Sequence, residues 1–178
     1  MSNRVPDRRS IRLPEYDYSQ SGIYAVTICA YNKKCLFGGV SNEIMEMNEI
    51  GRLVSACWQE IPKQLHYVDL LDYIVMPNHL HGIIIIDNDG RIMGTASRAH
   101  TRTEAFGKPS RDSLPTIIRS YKSGVTRRIN QPYPDLYSRI WQRGYYERVV
   151  RNEKELRGII DYIITNPENS DKDPDRLL

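Results

Sequence analysis

The stretch IYAVTICAY (23–31) crowds β-branched and aromatic side chains together and predicts a strand. In MNEIGRLVSACWQEIPKQL (47–65), Ile50, Leu53, Val54, Cys57, Trp58 and Ile61 recur at spacings of three and four, one face of a helix. VDLLDYIVM (68–76) predicts a second strand, Pro77-Asn78 interrupts it, and HLHGIIIID (79–87) predicts a third. Residues 88–113 lose all periodicity and are rich in Gly, Ser, Thr and Arg, which predicts a long mobile loop. LPTIIRSYKSGVTRRIN (114–130) returns to helical spacing, with Ile117, Ile118, Tyr121, Val125 and Ile129 inward and Gly124 as a weak point. YYERVVR (145–151) is a short strand. NEKELRGIIDYIITNP (152–167) closes the pattern as a helix, with Asn152 as N-cap, Glu155 placed three residues on as in a capping box, and Pro167 as its stop.

The resulting order, β-α-β-β-α-β and then a helix, is the split βαβ arrangement. It predicts an α+β, ferredoxin-like (RRM-like) domain: a four-stranded antiparallel sheet, two helices on one face, and the C-terminal helix free to cross the other. That explains a third strand apolar on both sides, with Ile83 and Ile85 on one and Leu80, Ile84 and Ile86 on the other. The organisation expected is a basic arm (1–22), one domain (23–167) holding the 88–113 loop, and a polar, frayed tail (168–178).

Composition adds bounds rather than a class. A chain of 178 residues with 40% hydrophobic and 26% charged residues suits one soluble domain with a sizeable core. The net charge of +3 forces no nucleic-acid reading, but the basic residues cluster in the N-terminal arm and between 91 and 130. Such clusters suit a polyanion, and equally a solvated surface. Three cysteines without paired spacing fit a reducing compartment. With no secretory h-region and no apolar run of membrane-spanning length, the expectation is a cytoplasmic protein without a membrane.

Candidate chemistry begins inside the third strand. Alternation puts His79 and His81 on one face, with Cβ atoms roughly 6–7 Å apart. Two neutral imidazoles at that spacing can share a divalent cation; they also read as two hydrogen-bonded histidines at a sheet surface, and the triplet alone does not decide. His66 and His100 are remote in sequence, so a closed nitrogen–sulfur zinc site does not fit. An open site completed by oxygen ligands and substrate, as Mg²⁺ or Mn²⁺ is used on phosphates, fits better. Tyr162 and Asn166, four apart, share a face of the last helix. An amide oxygen from Asn166 can complete a His-His-Asn set; the alternative is a core tyrosine and an asparagine that caps the helix before Pro167.

At this point the chain resembles the IS200-type and REP-associated tyrosine transposases, HUH single-strand DNA endonucleases named for histidine–hydrophobic–histidine, here His79-Leu80-His81 in VMPNHLHGI. The resemblance runs through RRSIRLPEYDYSQSGIYAVTICAY, WQEIP, MPNHLHGIII, LPTIIRSYKSGVTRRIN and WQRGYYERVVRNEKELRGIIDYIITNP. Its most specific feature is the triplet followed by a basic helix and then Tyr-x-x-x-Asn-Pro at a helix end. The resemblance implies Tyr162 as nucleophile, His79 and His81 as metal ligands, and Asn166 in the third ligand position, where some relatives have glutamine. It implies a Mg²⁺ or Mn²⁺ cofactor, cleavage of single-stranded DNA through a 5′-phosphotyrosine with release of a 3′-hydroxyl, and later rejoining. It also implies single-stranded or hairpin DNA as partner. Both oligomeric states stay open, since insertion-sequence relatives are dimers that exchange the tyrosine helix and REP-associated relatives act as monomers.

Among the cations, Lys122 matches the family's Tyr/Phe-Lys-Ser stretch and is the first choice for DNA contact, followed by Arg119, Arg127 and Arg128 and by Arg8, Arg9 and Arg12 of the arm. Tyr121, Tyr145 and Tyr146 rank below Tyr162 as nucleophiles because they have no polar helical partner, and Trp58 and Trp141 read as core or rim anchors. The competing function is a non-cleaving, domesticated module that binds hairpin DNA or RNA. Against the RNA version, the third strand shows histidines and isoleucines where an RNA-recognition domain presents aromatics.

Overall fold

The computed structural model of the chain describes residues 16–88, 90, 112–132 and 139–168. Arg8, Arg9, Arg12, His100, most of the 88–113 loop and the tail beyond 168 lie outside the described residues.

Strand β1 (Gly22–Cys29) supplies the first half of the sheet's centre. A hairpin follows, β2 (Gly38–Ser41) with β3 (Ile44–Met47). Next come α1 (Glu49–Gln59), the short α2 (Ile61–Gln64), β4 (Val68–Met76) and β5 (His79–Ile86). The chain closes with α3 (Leu114–Asn130), β6 (Tyr146–Val150) and α4 (Glu153–Ile164). Four strands pair antiparallel in the order β4-β5-β1-β6. This is the α+β sheet that the β-α-β-β-α-β order predicts.

The two faces of the sheet are covered differently. Tyr24, Val26 and Ile28 of β1 and Leu80, Ile84 and Ile86 of β5 point to the same side, where Val54 and Trp58 of α1 and Ile117, Tyr121 and Val125 of α3 complete a continuous core. On the other side α4 packs against β4. Ile83, which alternation puts on that side, is fully buried, as is Ile163 of α4. Burial on both sides is why β5 is buried at every position.

Trp58 fixes the distance between α1 and β5. A Cβ on Gly82 would come within 2.5 Å of its Cζ2 atom, so the indole lies against bare backbone in the strand that carries the histidines. Tyr121 packs edge-on to the indole and donates its hydroxyl hydrogen to the carbonyl of Val54, 3.1 Å away. Truncating a buried tryptophan of this kind costs about 3–5 kcal/mol.

Two elements depart from the sequence reading. The helix expected over 47–65 breaks at Glu60, because Pro62 occupies the first turn of α2 and cannot continue a preceding helix. The β2–β3 hairpin is unforeseen. It closes through Asn42 and Glu43, both at positive φ (50° and 63°), the conformation that matches the twist of a two-residue hairpin. Among the described residues, no helix is long and apolar enough to cross a membrane.

Candidate functional site

The histidine strand starts from a turn pinned on both carbonyls. Ala30 donates its N–H to the Asn78 carbonyl (2.7 Å), and Phe37 donates to that of Pro77 (2.9 Å). The first residue of β5 is therefore held in place before its side chain is considered. His79 and His81 then project to the α4 side, with ring centroids 4.4 Å apart and planes at 70°.

Each imidazole is oriented by a neighbour that sequence reasoning missed. Oδ1 of Asn78 lies 2.7 Å from Nδ1 of His79. That oxygen only accepts, so Nδ1 carries the proton and Nε2 keeps its lone pair. Oγ1 of Thr27 lies 2.8 Å from Nδ1 of His81 across the β1–β5 pair. With Nδ1 donating to the hydroxyl, Nε2 of His81 is again the basic nitrogen. Asn78 had a signal, since a polar residue at 2% exposure beside a histidine needs a partner. Thr27 had none, because its register opposite His81 is not written in local spacing.

The second half of the site comes from α4. Asn152 caps it by accepting from the Glu155 N–H at 2.9 Å, while Glu155 Oε2 accepts from the N–H of Arg151 rather than from that of the capping residue itself. Arg148 of β6 adds an ion pair to Glu155 Oε1 at 2.5 Å. These contacts hold the Glu155 carboxyl below its usual range, the backbone bond from Arg151 contributing most. So anchored at its start, α4 brings the Tyr162 hydroxyl within 3.4 Å of His81 Nε2, ring centroids 5.2 Å apart. Tyr162 is 41% exposed beside histidines at 1% and 6%.

Asn166 is not on the helix. α4 ends at Ile164, Thr165 is its C-cap, and Asn166 sits in the turn that follows, donating its N–H to Ile163 at 3.4 Å. This corrects the expectation of a continuous helix to residue 167. The side chain is nevertheless 1% exposed, and its Oδ1 has no hydrogen-bond partner among the described residues. A buried amide oxygen in that condition costs free energy unless something binds it.

Among the described residues, no three His, Cys, Asp or Glu side chains cluster to hold a metal ion. The available donors are instead two oriented imidazoles and the Asn166 amide oxygen. Neutral nitrogens plus one oxygen, with remaining positions left for water or phosphate, fit a borderline divalent cation of an open site.

The expected DNA-contacting cations fall in two places. Arg119 and Arg127 are exposed along a cavity of about 360 Å³ between α1–α2 and α3, on the sheet side away from the histidines. Arg128 lines the same cavity and is paired with Glu60 at 2.6 Å, with a second contact to the Cys57 sulfur at 3.4 Å. Lys122 points elsewhere. Its ammonium donates to the carbonyls of Gln142 (2.7 Å) and Gly144 (2.8 Å), and Gln142 donates its own N–H to Cys29, the partner of His79 in the sheet. Burial pushes the Lys122 pKa down to about 8. Trp58 is a core residue, and Trp141 packs on Phe37 and Tyr121 while donating to the Lys122 carbonyl at 3.1 Å.

No family model matches the chain. It is 40% identical over 165 residues to an uncharacterized protein of Haemophilus influenzae, across 92% of this chain and 89% of that protein. Among solved structures it is similar to a REP-associated tyrosine transposase bound to a REP hairpin, with 17% identity and a TM-score of 0.59 over 89% of this chain and 73% of that one. At that identity the likeness establishes a common fold.

Proposed function

The chain belongs to one family with its Haemophilus influenzae relative, and we propose that it is an HUH-type transposase that cleaves and rejoins single-stranded DNA through Tyr162. The observation that carries this reading is the 3.4 Å approach of the Tyr162 hydroxyl to Nε2 of His81. The transposase fold and the motif order agree with it. A Mg²⁺ or Mn²⁺ ion held by His79, His81 and Asn166 supplies positive charge for the phosphoryl oxygens and for the phenolate.

The chain's own residues do the rest. Thr27 and Asn78 set both imidazoles with Nε2 basic. Tyr162 presents its hydroxyl at the open side of that pair, and its oxygen attacks the phosphorus of the scissile diester. The phosphorus–O3′ bond breaks; the phenol gives up its proton and the leaving 3′ oxygen takes one up. The product is a 5′-phosphotyrosine and a 3′-hydroxyl. A covalent link keeps the energy of the diester for rejoining, which hydrolysis would discard. Hairpin DNA is the second proposed partner, by analogy with the hairpin-bound relative.

The test is an adduct assay. Labelled single-stranded DNA from the flanks of the gene is incubated with the protein and Mg²⁺, Mn²⁺ or EDTA, then run on a denaturing gel. A metal-dependent adduct that maps to Tyr162 and is absent in His79→Ala is expected. No adduct with any flank, while DNA hairpins or RNA still bind, would establish the non-cleaving module instead.

A further inference from the structure

Strand pairing aligns Ile74, His81, Thr27 and Tyr146 in one row across all four strands. Thr27 reaches His81 through its hydroxyl, so this row lies on the histidine face, and Tyr146, directly opposite Thr27, stands on the same face. Two interstrand steps separate His81 from Tyr146, roughly 10 Å between Cα atoms. Tyr146 is 40% exposed on the edge strand. Between it and the histidines the floor is made of small, half-exposed side chains, Thr27 and Ala25. Arg148, aligned with Ala25 in the next row on the same face, borders the strip, its guanidinium 68% exposed and paired with Glu155.

The outcome is a shallow strip with an aromatic ring on one bank and the Tyr162–His81 pair on the other. A tyrosine in the middle of a strand ordinarily buries its ring. Here the ring is half in water, beside a site read as one that holds a phosphodiester. A base attached close to the scissile phosphate lies within reach across the strip. Every base has a π face, so an exposed ring at that distance suits single strands without dictating sequence.

We propose that Tyr146 is a stacking platform for a base of single-stranded DNA beside the scissile phosphate, with the Thr27–Ala25 floor as the bed of that strand. The proposal rests on the nuclease reading of Tyr162, and its test separates the two.

Fluorescently labelled single-stranded oligonucleotides that bind the full chain are prepared with one abasic site at each position in turn, and affinity is measured by anisotropy in EDTA. With the wild-type protein, one position beside the cleavage point weakens binding by about 5- to 150-fold when its base is missing. Tyr146→Ala binds the intact strand that much more weakly and loses the position dependence; Tyr146→Phe retains both. A flat abasic scan with the wild-type protein overturns the platform without requiring any variant to fold. Equal loss in Tyr146→Phe and Tyr146→Ala also overturns it, because the hydroxyl would then be the group that matters. The same oligonucleotides are run in the adduct assay. An adduct at Tyr162 with a flat scan removes the platform alone. No adduct, together with a Tyr146-dependent scan, removes the nuclease reading and supports the stacking site.

Discussion

The Tyr162 hydroxyl and Nε2 of His81 lie 3.4 Å apart although 81 residues of sequence separate them. One sits near the end of the last helix, the other in a central strand, and only the crossing of α4 over the far side of the sheet brings them together.

Removing the hydroxyl separates chemistry from binding. Tyr162→Phe keeps the ring at a half-exposed position, so stability changes by no more than about 0.5 kcal/mol. The phosphotyrosine adduct disappears while affinity for single-stranded DNA persists. Denaturing gels and anisotropy on one preparation check both halves, and scission by the variant would take the nucleophile's role away from Tyr162.

Thr27→Val is nearly isosteric and deletes the group that orients His81. Loss of such an outer partner lowers metal affinity by about 10–100-fold. Titration calorimetry with Mn²⁺ on the folded protein measures it. An unchanged affinity would mean that the threonine has no part in presenting the imidazole.

Lys122 gives stability a pH signature. Its folded pKa of about 8 lies below its unfolded value, near 10.4 in model peptides. Between those values the unfolded chain holds more protons, so the lysine's contribution makes the protein more stable as pH rises from 8 toward 10. A neutral amine keeps two N–H groups, enough for both carbonyls it serves. Urea midpoints collected from pH 7 to 10 should show this rise in the wild-type protein and lack it in Lys122→Met. Parallel curves for the two proteins would refute the assignment.

Arg119 and Arg127 test whether the cavity on the helical side takes part in DNA binding. If each meets a phosphate, the double alanine variant weakens binding uniformly across sequences. It also makes the salt dependence shallower, by about one unit of log–log slope for each phosphate no longer neutralised. An unaltered slope would leave these two arginines as solvated surface.

The fold was legible where burial dictates pattern. The helix read over 114–130 coincides with Leu114–Asn130, and the strand over 68–76 with Val68–Met76, because each buries one or two faces and its periodicity records that. The β2–β3 hairpin escaped because Ile44 and Met47 are exposed and leave no inward-facing rhythm. Pro62 is a visible breaker, but the apolar spacing runs on through it and masks the break. Within the site, the His79–His81 spacing speaks for itself through strand alternation. The approach of Tyr162 does not; only a motif resemblance joined two segments that local rules keep apart. Thr27 and Tyr146 depend on strand register, which no single segment encodes.

Gly82 and Trp58 carry a consequence for how this sequence can change. An alanine at 82 collides with the indole at 2.5 Å, and a smaller residue at 58 leaves a hole in the core. Each first step alone is penalised, so the two positions are epistatic, and drift at either requires the other to move with it. Gly82→Ala by itself should lower the melting temperature, and pairing it with Trp58→Phe should recover part of the loss. The glycine beside the histidine triplet thus ties the history of the candidate site to that of the opposite face of the sheet.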